Sequence, residues 1–133
     1  MNEPQAPKIL VVDGEDHTRD ICCLGLRQAG FAVVTAASAA EALEQVRVHG
    51  AGLSLVLLEL NLPDMEGEAS FGALLRLQPD LHFLLFTAGG DPDAVQRMVE
   101  TGHAVYLGKP CALAVLQEEV LWHASLHPRP TPG

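Results

Sequence analysis

Positive charge is scarce in this chain: 8 Lys and Arg stand against 17 Asp and Glu, for a formal charge of −9 with histidines neutral. Duplex binding needs clustered Lys and Arg to neutralise phosphates, so this balance argues against a nucleic-acid interface. Long apolar runs are missing too. Stretches such as Leu55-Val56-Leu57-Leu58 are strand-sized, whereas a membrane span takes about 20 residues. Met1 to Pro7 lacks a basic region followed by an apolar stretch, so no secretory leader is expected. Three cysteines, an odd number without scaffold spacing, point to reduced thiols and a cytoplasmic location. Nucleotide-binding signatures are absent. The segment after the first apolar run, Asp13-Gly14-Glu15-Asp16-His17, is not Gly-x-Gly-x-x-Gly, and no Gly-Lys-Ser/Thr occurs. The Asp-x-Asp of an aspartyl phosphatase is approached only with glutamate in the second place. What is present is 48% hydrophobic residues in 133, enough for one domain with an ordinary core.

Two textures alternate along the chain. Short runs rich in Val, Ile, Leu and Phe begin at residues 8, 31, 53, 82 and 104, and a longer helical pattern follows each. The expected strands are Lys8 to Val12, Phe31 to Thr35, Leu53 to Leu58, His82 to Thr87 and Ala104 to Leu107. That spacing is the rhythm of βα units. Runs apolar at nearly every position fit strands buried on both faces of a parallel sheet, covered by helices on both sides. Helices are expected over Asp16 to Ala29, from a capping box at Ser38-Ala39-Ala40-Glu41 to His49, and over Gly67 to Leu77. Two more follow, one from Asp91-Pro92 to Gly102 and one over Cys111 to Ala124. Met1 to Pro7 and residues 126–133 are proline-rich and expected to be flexible tails around a domain spanning residues 8–125. The C-terminal tail is expected to be a simple end, with a linker cut from a longer protein as the alternative.

In an open parallel sheet, ligands bind at the carboxyl ends of the strands. The polar residues there are Asp13, Gly14, Glu15 and Asp16, then Glu59 and Asn61, then Thr87, then Lys109. Carboxylates, a hydroxyl and an ammonium thus converge on one edge, where charge is costly unless it pairs or binds something. Four segments carry a resemblance: Ile9-Leu10-Val11-Val12-Asp13, Glu59-Leu60-Asn61-Leu62-Pro63-Asp64-Met65-Glu66-Gly67, Phe86-Thr87-Ala88 and Tyr106-Leu107-Gly108-Lys109-Pro110. In this order and spacing the chain, from about Lys8 to Ser125, resembles the receiver domain of two-component response regulators. The resemblance implies a doubly wound, flavodoxin-like (βα)5 fold with strand order 2-1-3-4-5 and a cis peptide between Lys109 and Pro110. It also implies Mg²⁺ ligation through Asp13, Glu59 and the Asn61 carbonyl, a phosphoryl contact at Thr87, charge compensation by Lys109 and an aromatic switch at Tyr106.

Two positions depart from that pattern. Glu59 stands where the family has its phosphoacceptor aspartate, and Gly14 replaces the second acidic residue of the metal-binding loop. One extra methylene moves the nucleophilic oxygen by more than about 1 Å, a misplacement that costs roughly 100-fold in rate. Mg²⁺ relies on one or two protein carboxylates, so the loss at Gly14 leaves a weak or absent metal site. Glu15 is a poor substitute because its side chain leaves the backbone one residue later. The expectation is a Glu59–Lys109 contact that needs no metal and no cofactor.

The resulting expectation is an atypical receiver that is not an enzyme and serves two-component signalling as a phosphorylation-independent protein–protein interaction module. Either Glu59 partly imitates a phosphorylated aspartate and holds an active-like state, or the domain is a fixed docking surface with no switch, and the latter is preferred. The alternatives are a phospho-switch with a glutamate acceptor and the receiver piece of a longer regulator with an output domain. The expected partner is a signalling protein, such as a histidine kinase or a downstream regulator, with the domain a monomer or weak homodimer. By the resemblance the contact surface comprises Pro92, Val95, Tyr106, Gly108, Ala112, Glu119 and Trp122, and is expected to be apolar rather than salt-bridged. Of Cys22 and Cys23, one is expected in the core and one partly exposed. Cys111, at the expected start of the last helix, sits where a helix dipole would favour its thiolate. His123 and His127 lack a third zinc ligand. Asp64 and Glu66 read as solvated loop carboxylates.

Overall fold

A computed structural model describes residues 6–126. The expected tails fall almost wholly outside the described residues, as does His127. The elements alternate as expected: β1 (Lys8–Val12), α1 (Asp16–Gln28), β2 (Ala32–Ala36), α2 (Ala39–His49), β3 (Leu53–Leu58), α3 (Gly67–Leu77), β4 (Phe83–Thr87), α4 (Pro92–Glu100), β5 (Ala104–Gly108) and α5 (Leu113–Leu126). The sheet is parallel throughout, in the order β2-β1-β3-β4-β5. This is the doubly wound, flavodoxin-like arrangement. β1 and β3 lie side by side at the reversal of strand order, so Asp13 and Glu59 leave the sheet next to each other. The two strands are tied there by Glu59 N–H donating to the Val12 carbonyl at 2.9 Å.

Local chemistry sets the helix boundaries. Ser38 Oγ accepts from Glu41 N–H at 3.1 Å and opens α2. Asp91 Oδ1 accepts from Asp93 N–H at 3.0 Å, with Pro92 as the first residue of α4. Gly102, at φ 80°, ends that helix in a conformation a side chain rarely adopts. The peptide between Lys109 and Pro110 is cis, as the family resemblance implied.

Every residue of β3 and β4 is buried. Alternate side chains serve two apolar layers. Leu10, Val12, Val56, Leu58, Phe83 and Leu85 face α2, α3 and α4. Ile9, Val11, Leu55, Leu57, Leu84 and Phe86 face α1 and α5. Phe71 and Phe83 pack with ring centroids 4.7 Å apart.

Three local expectations are corrected. Cys22 and Cys23 are both buried, in the layer under α1. Burial holds the Cys22 thiol up at about 11 and raises that of Cys23. The last helix begins at Leu113, two residues later than expected. Cys111 therefore precedes it, and burial raises its thiol rather than a dipole lowering it. Leu113 is partly exposed, although its side chain lies against Gly25 of α1.

Candidate functional site

At the carboxyl ends of β1, β3 and β5 the backbone delivers Asp13, Glu59 and Lys109 to one point. Lys109 Nζ donates to Asp13 Oδ2 at 2.6 Å and to Glu59 Oε1 at 2.9 Å. All three side chains are largely buried. The remaining carboxylate oxygens also have partners. Asp13 Oδ1 accepts from Glu15 N–H at 2.9 Å. Glu59 Oε2 accepts from Leu60 N–H at 2.6 Å and Asn61 N–H at 3.3 Å. The ammonium lies 5.1 Å from the centroid of the Phe86 ring. Burial disfavours the charged form of Lys109, but the hydrogen bonds it donates to Asp13 and Glu59 outweigh it, and its pKa lies above the ordinary lysine value. A satisfied, charge-assisted network of this kind holds its members in one geometry.

An open cleft of about 1120 Å³ leads from this network between the β3–α3 loop and α4. Gly14, Glu15 and Asn61 line it. A Cβ at Gly14 would meet Pro63 Cδ at 3.2 Å and the Ala37 carbonyl at 3.4 Å. Glu15 points its backbone at Asp13 and stands as the N-cap residue of α1, with no capping bond from its side chain. Across the mouth, Arg97 of α4 and Glu68 of α3 form a two-pronged ion pair, both contacts 2.8 Å.

Thr87 is fully buried, and its Oγ1 has no hydrogen-bond partner among the described residues. Its carbonyl faces the Tyr106 hydroxyl at 3.5 Å. Tyr106 is 49% exposed. With Val95, Val99 and Pro92 it lines a shallow groove between α4 and β5. Trp122 of α5 is 61% exposed. The structure thus brings Asp13, Glu59 and Lys109 into contact and places Gly14, Glu15 and Asn61 beside them. Thr87 and Tyr106 stand behind, and Val95 and Trp122 lie away from the cleft.

Three supporting residues escaped the sequence reading. Arg19 Nη1 donates to the Asp13 carbonyl at 2.8 Å and holds the β1–α1 turn. Phe86 supplies the ring beneath Lys109. Asp64, exposed as expected of a loop carboxylate, also caps α2: its two oxygens accept from Ala39 N–H at 2.9 Å and Ala40 N–H at 3.0 Å. Those amides hold its carboxyl below the usual range. The signal available for Asp64 was its place in a loop that the topology sets beside the start of α2.

Comparison with known proteins shows the family and the fold. The response regulator receiver domain family matches residues 9–121. The C4-dicarboxylate transport transcriptional regulatory protein DctD of Rhizobium meliloti is 34% identical over 107 residues, covering 80% of this chain and 23% of that protein. The transcriptional regulatory protein PrrA of Mycobacterium tuberculosis is 31% identical over 115 residues, covering 86% of this chain and 48% of its own. The chain therefore spans less than half the length of these relatives. A CheY-like receiver domain from Methanospirillum hungatei superposes with a TM-score of 0.83 at 24% identity, covering 92% of this chain and 96% of that one. The chain belongs to the response regulator receiver family of two-component signalling.

Proposed function

We propose that this receiver works as a phosphorylation-independent interaction module, cytoplasmic and without enzymatic activity of its own. The observation that carries the reading is the position of Lys109. Its ammonium already joins the two carboxylates that a phosphorylating receiver would offer to a metal and a phosphoryl group. Mg²⁺ takes near-octahedral oxygen ligands. The donor set here is two carboxylates already engaged by an ammonium, and the Asn61 carbonyl, with no side chain at Gly14, which makes Mg²⁺ binding weak or absent. The pocket carries a formal charge of −1 from Asp13, Glu59 and Lys109, and no cation is needed to offset it.

Glu59 is bonded on both oxygens, to Lys109 and to the amides of Leu60 and Asn61. It serves as a structural strut rather than an imitation of a phosphoaspartate, which brings about −1.5 to −2 charge and three acceptor oxygens. Signalling then runs through a constitutive docking surface at the β5 edge, formed by Val95, Tyr106 and Trp122. The partner is a signalling protein such as a histidine kinase or a downstream regulator.

One observation favours the second reading, a slow phospho-switch on Glu59: the buried Thr87 hydroxyl has no partner, and a phosphoryl oxygen would supply one. Intact mass after incubation with a small phosphoryl donor and Mg²⁺ decides between them. The expected result is no added phosphoryl mass on the wild type and a gain on the Gly14→Asp, Glu59→Asp double variant. A wild type that gains the mass and loses it on Glu59→Ala overturns the proposal.

A further inference from the structure

One face of α1 points away from the molecule. Cys22, Cys23 and Leu26 lie in the core layer beneath the helix, and Gly25 lies against Leu113 of α5. His17, Asp20, Ile21, Leu24, Arg27 and Gln28 are exposed. They fall at i, i+3, i+4, i+7, i+10 and i+11, which is one stripe of a helix. The middle of the stripe is apolar: Ile21 is 46% and Leu24 61% exposed. Leu113, partly exposed beside Gly25, extends that patch. Adjoining large apolar side chains at the centre of an outward stripe suit a helix that packs on another molecule.

The two sides of that patch carry opposite charge. Asp16 is tied to Arg19, and Arg19 also turns inward to the Asp13 carbonyl. Asp20 and Arg27 remain as the charged groups of the stripe, and neither joins an ion pair among the described residues. With histidine neutral the stripe is therefore neutral, in a chain of net charge −9. A second acidic molecule meets no like-charge opposition at this contact, and charges farther away are screened by salt. The midpoint between positions 20 and 27 falls beside Leu24. At 1.5 Å of rise per residue, Asp20 and Arg27 each lie about 5 Å along the helix from that point. A second α1 laid antiparallel about Leu24 sets its Arg27 against Asp20 and its Asp20 against Arg27. We infer that two copies of this chain associate through α1 in a two-fold dimer, with a seam of Ile21 and Leu24 flanked by two Asp20–Arg27 ion pairs. A single helix pair buries less than the roughly 1,200 Å² of a standard interface, so the association is weak, in the micromolar to millimolar range. The stripe contains none of the residues of the docking surface proposed above, so the dimer carries that surface twice.

Sedimentation equilibrium of the full chain, from micromolar to millimolar concentration, tests the contact. The expected result is a reversible monomer–dimer equilibrium. Asp20→Arg brings two guanidinium groups together on each side of the axis and weakens the dimer at least about tenfold, although it moves the net charge from −9 to −7. Glu44→Lys on α2 makes the same change in net charge and alters the dissociation constant by less than about twofold. The swap, Asp20→Arg with Arg27→Asp, returns it to within about threefold of the wild type. A mixture of the Asp20→Arg chain and the Arg27→Asp chain forms heterodimers at concentrations where neither forms homodimers. One brings two guanidinium groups and the other two carboxylates, and recovery in the mixture also shows that both variants are folded. A chain that stays monomeric at every concentration, an equal effect of Asp20→Arg and Glu44→Lys, or a mixture that recovers no dimer overturns the inference. Association that survives Asp20→Arg and is lost with Val95→Glu places the contact at the β5 edge and overturns it as well.

Discussion

Lys109 keeps two carboxylates within 3 Å of a common cation, and everything chemical about the pocket turns on it. Lys109→Met keeps the bulk of the stem but leaves Asp13 and Glu59 facing each other without compensation. Removing one partner of a buried ion pair costs more than the pair contributes, so a loss of about 3 kcal/mol in chemical denaturation is expected, the lower end of the usual range because the cleft admits water. Lys109 also predicts an alkaline limit. Its folded pKa lies above the ordinary lysine value because the bonds to Asp13 and Glu59 outweigh desolvation. The contribution is therefore fully present below about pH 10.4, the unfolded value, and is lost as pH rises through the folded pKa. Thermal melts across the alkaline range should show a fall in midpoint that Lys109→Met lacks. Asp13, Glu59 and Lys109 were legible in the sequence because each directly follows a strongly apolar strand, and a parallel sheet sends all such residues to one edge. Arg19 and Phe86 were not, because Arg19 reaches back from within a helix and Phe86 is indistinguishable in sequence from any core residue of β4.

The β3–α3 loop and the helices it joins show what one element imposes on another. Gly67 opens α3 so close to β3 that an added Cβ would lie 2.5 Å from Leu60 Cβ and 2.8 Å from its Cα. The obstacle is backbone, and it carries the amide bonded to Glu59. Gly67→Ala should cost about 1–3 kcal/mol through overpacking. Gly72→Ala, in the same helix with only the tip of Arg76 nearby, should be neutral or stabilising by up to about 1 kcal/mol. Paired denaturation curves check the contrast. At the other end of the loop, Asp64→Ala removes the acceptor for the first amides of α2. Ala39 and Ala40 should then exchange their amide hydrogens faster, with α3 and β3 unaffected. Because the Asp64 carboxyl is held low by those amides, its contribution is present above its unfolded value and lost as pH falls through the depressed folded one. Most of these elements were legible from apolar runs and capping residues. The start of α5 was not: the Ala112 carbonyl, which accepts from Val115 and Leu116, holds the N-cap place, and alanine gives no capping signal. The Ser38 cap of α2 was legible, but the added cap from Asp64 was not, since it lies 25 residues from the Ala39 amide in sequence.

Across the molecule, charge ties the pocket to the fold. The chain carries −9, and a third carboxylate in the pocket would raise the opposition there as well as overall. Gly14→Asp tests this directly, because the backbone leaves room for the side chain with a shift of a few tenths of an ångström at Pro63 Cδ, 3.2 Å away. The variant takes the chain from −9 to −10 and the pocket from −1 to −2, with Lys109 still its single ammonium. In chelator it should melt below the wild type, since like charges in a largely buried site repel. Millimolar Mg²⁺ should then raise its midpoint, because a ligand that binds only the folded state stabilises it, by about 2.7 kcal/mol at a hundred times its dissociation constant. The wild type should show no such rise, since its two carboxylates already share Lys109. An equal rise in both proteins would mean that Mg²⁺ displaces the ammonium without help from residue 14, and a metal-independent pocket would be the wrong description.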